Sequence, residues 1–215
     1  EKNIQKITDS NIEIIDKIHS NQVVMVVSGT GSGKSVLVPK FALHVLDYKG
    51  KVVLTNPKTL ATLKNAQYAA MCLDVELGKE VGYHYRGAPD NSHSKDETKL
   101  LFATDGMLVA QILNDPIASK VDCIIIDEAH ERGVQIDYLL LLVKRALIKR
   151  PELKLIIMSA TIDKSIFKKY FDNFKYAEID AGSIPNFPIE EFFLNKVCKN
   201  YIECGTTIIE KLIPN

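Results

Sequence analysis

Two short stretches carry residue types that handle phosphate and a hard cation. The first is Ser28-Gly29-Thr30-Gly31-Ser32-Gly33-Lys34-Ser35, which follows the apolar run Val23–Val27. Its glycines at 29, 31 and 33 let the backbone take positive φ and turn its N–H groups inward. A helix opening near Lys34 would aim its positive dipole end at the same point, completing a polyphosphate cradle. Lys34 would reach the β- and γ-phosphates as a point charge, and the Ser35 hydroxyl would ligate Mg²⁺. Such loops open on glycine, and here Ser28 stands in that place. A tight strand-to-helix turn with an exposed lysine is the plainer reading, and it leaves the glycines without a purpose.

The second stretch, Asp127-Glu128, closes the most apolar run of the chain, Val121–Ile126. Adjacent side chains at a strand end point in different directions. One carboxylate can therefore join a Mg²⁺ shell while the other faces a water. A solvated acidic turn is the alternative, and a phosphate loop earlier in the chain weighs against it.

Positioning these groups requires strands that end where they begin. Apolar runs at Val23–Val27, Lys51–Thr55, Val81–Tyr85, Leu100–Ala103, Val121–Ile126, Leu153–Met158 and Tyr176–Ile179 read as strands. Helical patterns lie between them over 35–48, 58–73, 106–113, 134–149 and 163–171, with Pro39 tolerated near the start of the first. An earlier helix running to about His19 takes Asp9 or Ser10 as its cap. This alternation predicts an α/β fold with a mainly parallel sheet, helices on both faces and ligands at the strand C-terminal ends. Residues 1–20 form an N-terminal helical arm, 21–182 the nucleotide-binding domain, and 183–215 an extended linker after the prolines break the pattern. The polar stretch 87–98 reads as a surface excursion.

At 215 residues one large domain is the default. Charges balance at 27 basic and 27 acidic residues, which excludes a global field for nucleic acid and makes any such contact local. Cys72, Cys123, Cys198 and Cys204 show no metal-ligand spacing and read as reduced thiols of an intracellular protein. No apolar run is long enough to span a bilayer, so no membrane partner is expected. The chain opens on Glu1 rather than Met, which suits a fragment or a processed product.

Asp127-Glu128-Ala129-His130-Glu131-Arg132, with Gly31–Ser35, Thr104-Asp105-Gly106-Met107-Leu108 and Ser159-Ala160-Thr161, resembles the first RecA-like domain of a DEAH-box helicase of superfamily 2. The resemblance covers residues 8–195 and includes Val81-Gly82-Tyr83. It implies a RecA-like P-loop NTPase fold that takes ATP, or other nucleoside triphosphates, with Mg²⁺. Gly29, Thr30, Gly31, Ser32, Gly33, Lys34 and Ser35 would hold the triphosphate, and Ser35 and Asp127 the metal. Glu128 would activate the attacking water, and His130 with Ser159 and Thr161 would couple the nucleotide to the RNA side and a partner domain. Thr104, Asp105 and the segment Thr55-Asn56-Pro57-Lys58 would follow the backbone of single-stranded RNA, contacts that position without reading sequence.

Two departures accompany the resemblance. Lys58 and Thr59 stand where the family has two arginines, which weakens the expected hold on RNA phosphates. Tyr68 takes the place of an arginine that would stack on the nucleotide base. The implied partners are RNA, a second RecA-like domain of the same parent chain and a regulatory protein. A nucleotide-gated RNA-binding scaffold and a nucleotide kinase are the competing readings, the latter requiring a lid and an acceptor site. His19, His44 and His93 read as surface or helix residues, Tyr83-His84-Tyr85 as strand packing, and Leu139–Leu142 as core or interdomain surface.

Overall fold

The computed structural model describes residues 11–29, 31–160, 164–182, 190, 193–194 and 197–212. Seven strands form one sheet: β1 (Val23–Ser28), β2 (Val52–Asn56), β3 (Val81–His84), β4 (Leu100–Thr104), β5 (Cys123–Ile126), β6 (Lys154–Ser159) and β7 (Tyr176–Gly182). Their order is β3-β4-β2-β5-β6-β1-β7, and every pairing is parallel. The helices are α1 (Asn11–Ser20), α2 (Lys34–Val45), α3 (Thr59–Leu73), α4 (Asp105–Asn114), α5 (Val134–Lys149), α6 (Lys164–Tyr170) and α7 (Tyr201–Leu212).

The continuous apolar strands follow from burial on both faces. Val24, Val26, Leu54, Phe102, Ile125 and Ile156 point to one side, where α1, α2 and α3 pack through Ile14, Val38 and Ala66. Their neighbours Val23, Met25, Val53, Leu101, Ile124 and Ile157 point to the other, against α4, α5 and α6 through Leu108, Leu139 and Phe167. Polar clamps tie helix ends to the sheet. The Lys154 ammonium donates to the carbonyls of Ile18, His19 and Asn21 at 2.6, 3.1 and 3.0 Å, capping the C-terminus of α1. Gln22 Nε2 likewise donates to Leu147 and Arg150 carbonyls at the end of α5.

Several local expectations change. Pro39 lies past the first turn inside α2 and is buried there, so one ladder bond of that helix is missing. The α1 cap residues Asp9 and Ser10 fall outside the described residues. The 87–98 stretch is anchored rather than a free excursion: Ser92 and Thr98 are buried, and the Thr98 hydroxyl donates to the Lys79 carbonyl. His93 packs its ring against His84, centroids 4.8 Å apart, and so is not a lone surface residue. The 183–215 segment is not wholly extended, because α7 forms within it with no buried residue. Cys198 and Cys204 are joined in a disulfide ahead of and within α7, which corrects the all-thiol reading; Cys72 and Cys123 are free.

Candidate nucleotide and metal site

The sheet order places β6 between β1 and β5, so the glycine loop, Ser159 and Asp127 emerge side by side at the strand C-terminal ends. Positive φ occurs at Gly31 (76°) and Gly33 (82°), while Gly29 does not share it. Gly33 is the residue before α2, whose first residue is Lys34. Lys34 is 4% exposed and has no hydrogen bond or ion pair among the described residues. A cation so enclosed is expensive without an anion, and the helix N-terminus beside it favours the same guest.

Asp127 is fully buried. Its Oδ2 accepts from Ser35 Oγ at 2.6 Å and from Asn56 Nδ2 at 3.1 Å, and its Oδ1 accepts from the Glu128 amide at 2.9 Å. Burial is the main influence on its carboxyl and pushes the pKa up; the Ser35 hydroxyl pulls it down, the Glu128 charge raises it and the Lys34 charge lowers it. A hydroxyl and a carboxylate in contact are the hard oxygen donors that Mg²⁺ takes, with phosphate oxygens and water completing the shell. The residues present therefore fit the ion that the sequence implies.

Glu128 holds left-handed backbone, φ 53°, and Arg132 does the same at φ 46°. Such strain in non-glycine residues concentrates at functional sites. Between them the 3₁₀ turn Ala129–Glu131 brings His130 Nδ1 to 3.5 Å from Glu128 Oε2, a proximity without a hydrogen bond. A cavity of about 260 Å³ opens here, walled by Ser35, Asn56, Lys58, Asn65, Asp127 and Glu128.

The residues expected along RNA gather on the adjoining strands, where Asn56 and Thr104 are register partners of β2 and β4. Thr55 is fully buried and Asp105 is 4% exposed, whereas Lys58 reaches solvent and pairs with Glu131 at 3.3 Å. Ser159 is fully buried. Thr30 and Thr161 lie outside the described residues. Among the described residues, six buried side-chain atoms lack a hydrogen-bond partner, on Ser28, Ser32, Thr55, Asp105, His130 and Ser159. All six sit at or just beyond the C-terminal ends of β1, β2, β4, β5 and β6. Unpaired buried polar groups are rare, and their confinement to one edge marks it as a place built for polar contacts. Sequence reading missed Asn65, whose Nδ2 donates to Asn56 Oδ1 at 3.2 Å. The available signal was an asparagine inside α3, a poor helix former in a helix interior.

An all-parallel α/β sheet with a glycine loop and an acidic pair at its C-terminal edge defines a RecA-like P-loop NTPase domain. The family model described as DEAD/DEAH box helicase matches residues 8–168. The chain belongs to that family, as its first RecA-like, ATP-binding domain. It is 46% identical over 202 residues, 93% of this chain, to a protein of Acanthamoeba polyphaga mimivirus described as a candidate ATP-dependent RNA helicase. It is 40% and 38% identical over 174 residues, 80% of the chain, to the ATP-dependent RNA helicases HrpA of Escherichia coli and Borreliella burgdorferi. The chain spans 29%, 13% and 21% of the length of these three relatives respectively. No helix among the described residues is long and apolar enough to cross a membrane.

Proposed function

We propose that this domain is the ATP-binding half of an NTP-driven RNA helicase that couples Mg-ATP hydrolysis to movement on, or remodelling of, single-stranded RNA. The observation that carries the reading is the buried Ser35–Asp127 contact beside the enclosed Lys34, with Glu128 next in the chain. Lys34 and the backbone amides of residues 31–35 hold the triphosphate. Ser35 and Asp127 hold Mg²⁺, which supplies charge stabilisation to the phosphoryl group. Glu128 orients the attacking water and takes its proton. His130, Ser159 and Thr161 relay the state of the nucleotide, while Pro57, Lys58, Thr104 and Asp105 lie along the RNA backbone. Tyr68, 53% exposed on α3, offers a ring to the nucleotide base.

A second RecA-like domain supplies arginine fingers in this scheme, and a missing finger lowers turnover by about 10³–10⁵. Residues 1–215 alone are therefore expected to bind nucleotide, hydrolyse it slowly and leave duplexes wound. The test is RNA-stimulated ATP hydrolysis by the full natural chain, alongside Glu128→Gln. Loss of turnover with nucleotide binding retained supports the motor and the role of Glu128. Binding without turnover in the wild-type chain favours the nucleotide-gated scaffold, a reading that the Lys58–Glu131 pair supports by occupying a cation expected on RNA.

A further inference from the structure

We infer that Asn56 and Asn65 are positioning residues for the Asp127 carboxylate, tying α3 to the metal side of the nucleotide site; the inference rests on the Mg-nucleotide reading above. Asn56 ends β2 and is 2% exposed. Its Nδ2 donates to Asp127 Oδ2 at 3.1 Å, and its Oδ1 accepts from Asn65 Nδ2 at 3.2 Å. Asn65 is half-buried in the wall of the cavity that holds Ser35, Asp127 and Glu128.

The bonds have a direction. A carboxylate can only accept, so the Asn56 amide serves Asp127 only with its NH₂ group turned toward it. Turned the other way, it would set Oδ1 against the carboxylate and NH₂ against the NH₂ of Asn65. Asn65 thus supports the useful orientation of Asn56, and Asn56 joins the Ser35 hydroxyl and the Glu128 amide in holding the rotation of Asp127. Ser35 donates to the same Oδ2, but its oxygen is shared with any cation, whereas Asn56 is committed to the carboxylate. Partners of this kind behind a metal ligand commonly change metal affinity by about 10- to 100-fold. The helix that carries Asn65 opens at Thr59, directly after Pro57-Lys58. Movement of that segment on RNA would reach Asp127 through two hydrogen bonds.

The experiment uses the full natural chain with Asn65→Ala and Asn65→Asp, with thermal melts to verify folding and Asn65→Ser in reserve for an alanine variant that melts early. The readout is the Mg²⁺ concentration that half-saturates binding of a fluorescent ADP analogue, with affinity in EDTA as the reference. Asn65→Ala is expected to raise the Mg²⁺ requirement about 2- to 10-fold, the weight of one neutral hydrogen bond, and to leave binding in EDTA unchanged. Asn65→Asp puts an acceptor where a donor is needed, turns Asn56 around and raises the requirement further. Simple attraction between the new carboxylate and the cation predicts the opposite, a lowered requirement. That result, or an unchanged Mg²⁺ dependence in Asn65→Ala, overturns the relay. A wild-type chain whose nucleotide binding ignores Mg²⁺ removes the Mg-nucleotide reading itself, and the inference falls with it.

Discussion

Asp105 opens α4 with a carboxyl that is 4% exposed, and burial pushes its pKa up to about 6. The nearby Thr55 hydroxyl pulls it down, without an aligned hydrogen bond, while the Glu131 and Asp127 charges add to the rise. Between its ordinary value of 3.8 and about 6 the folded chain holds a proton that the unfolded chain has lost. Its contribution to stability is therefore complete below the lower value and lost as pH rises through the upper one. The gap of about two units corresponds to about 3 kcal/mol at most. Asp105→Asn should be more stable than wild type by up to that amount at pH 7, with the gain vanishing near pH 4 in urea denaturation at the two pH values; equal gains at both would refute it. At this scale the sequence is legible where chemistry is contiguous: Lys34, Ser35, Asp127 and Glu128 stand in two short runs whose types name their work. It is silent where chemistry is assembled across the fold. Asn56 and Asn65 are nine positions apart, and Asn56 reaches Asp127 only because β2 and β5 are neighbours. Thr55 shows the converse, since a threonine suited to a phosphate contact is sealed beneath the strand end.

Among the elements, β1 to β7 were legible because burial on both faces leaves continuous apolar runs, and the boundaries moved by only a few residues. What misled was polarity. The 87–98 stretch has the composition of a loose loop, yet its Ser92 and Thr98 point inward and His93 lies on Gly82. A Cβ at Gly82 would stand 2.6 Å from His93 Cβ and 3.0 Å from the His93 Cα and Ser92 carbonyl oxygen, so neighbouring backbone must yield. Gly82→Ala is predicted to destabilise the fold by about 1–3 kcal/mol, the usual toll of overpacking. Faster proteolytic nicking within 87–98 would accompany it, and an unchanged melting temperature would show that the stretch is not docked on β3. The opposite error hid α7, because Pro185 and Pro188 upstream of it suggest extended chain through to the end. The Cys198–Cys204 pairing was illegible for a related reason: a six-residue separation has no special spacing, and only the turn into α7 brings the sulfurs together.

For the whole molecule, the parallel sheet delivers the ends of β1, β2, β4, β5 and β6 to a single edge, where six buried side-chain atoms among the described residues have no hydrogen-bond partner. That edge carries the proposed nucleotide site on one part and the proposed RNA track on the other, with Asn56 and Asn65 bonded in series to Asp127. Charge supports this division, since a chain with 27 basic and 27 acidic residues attracts polyanions only where it concentrates cations. Lys34 is the most telling of those cations, being 4% exposed with no hydrogen bond or ion pair among the described residues and only the charge of Asp127 acting on it. The most direct measurement is saturable binding of a fluorescent ATP analogue in the presence of Mg²⁺, comparing wild type with Lys34→Ala at matched folding. Loss of a charge-assisted contact predicts affinity weaker by about 10- to 100-fold in the variant. Equal affinity in the two proteins would contradict a triphosphate seated in the glycine loop.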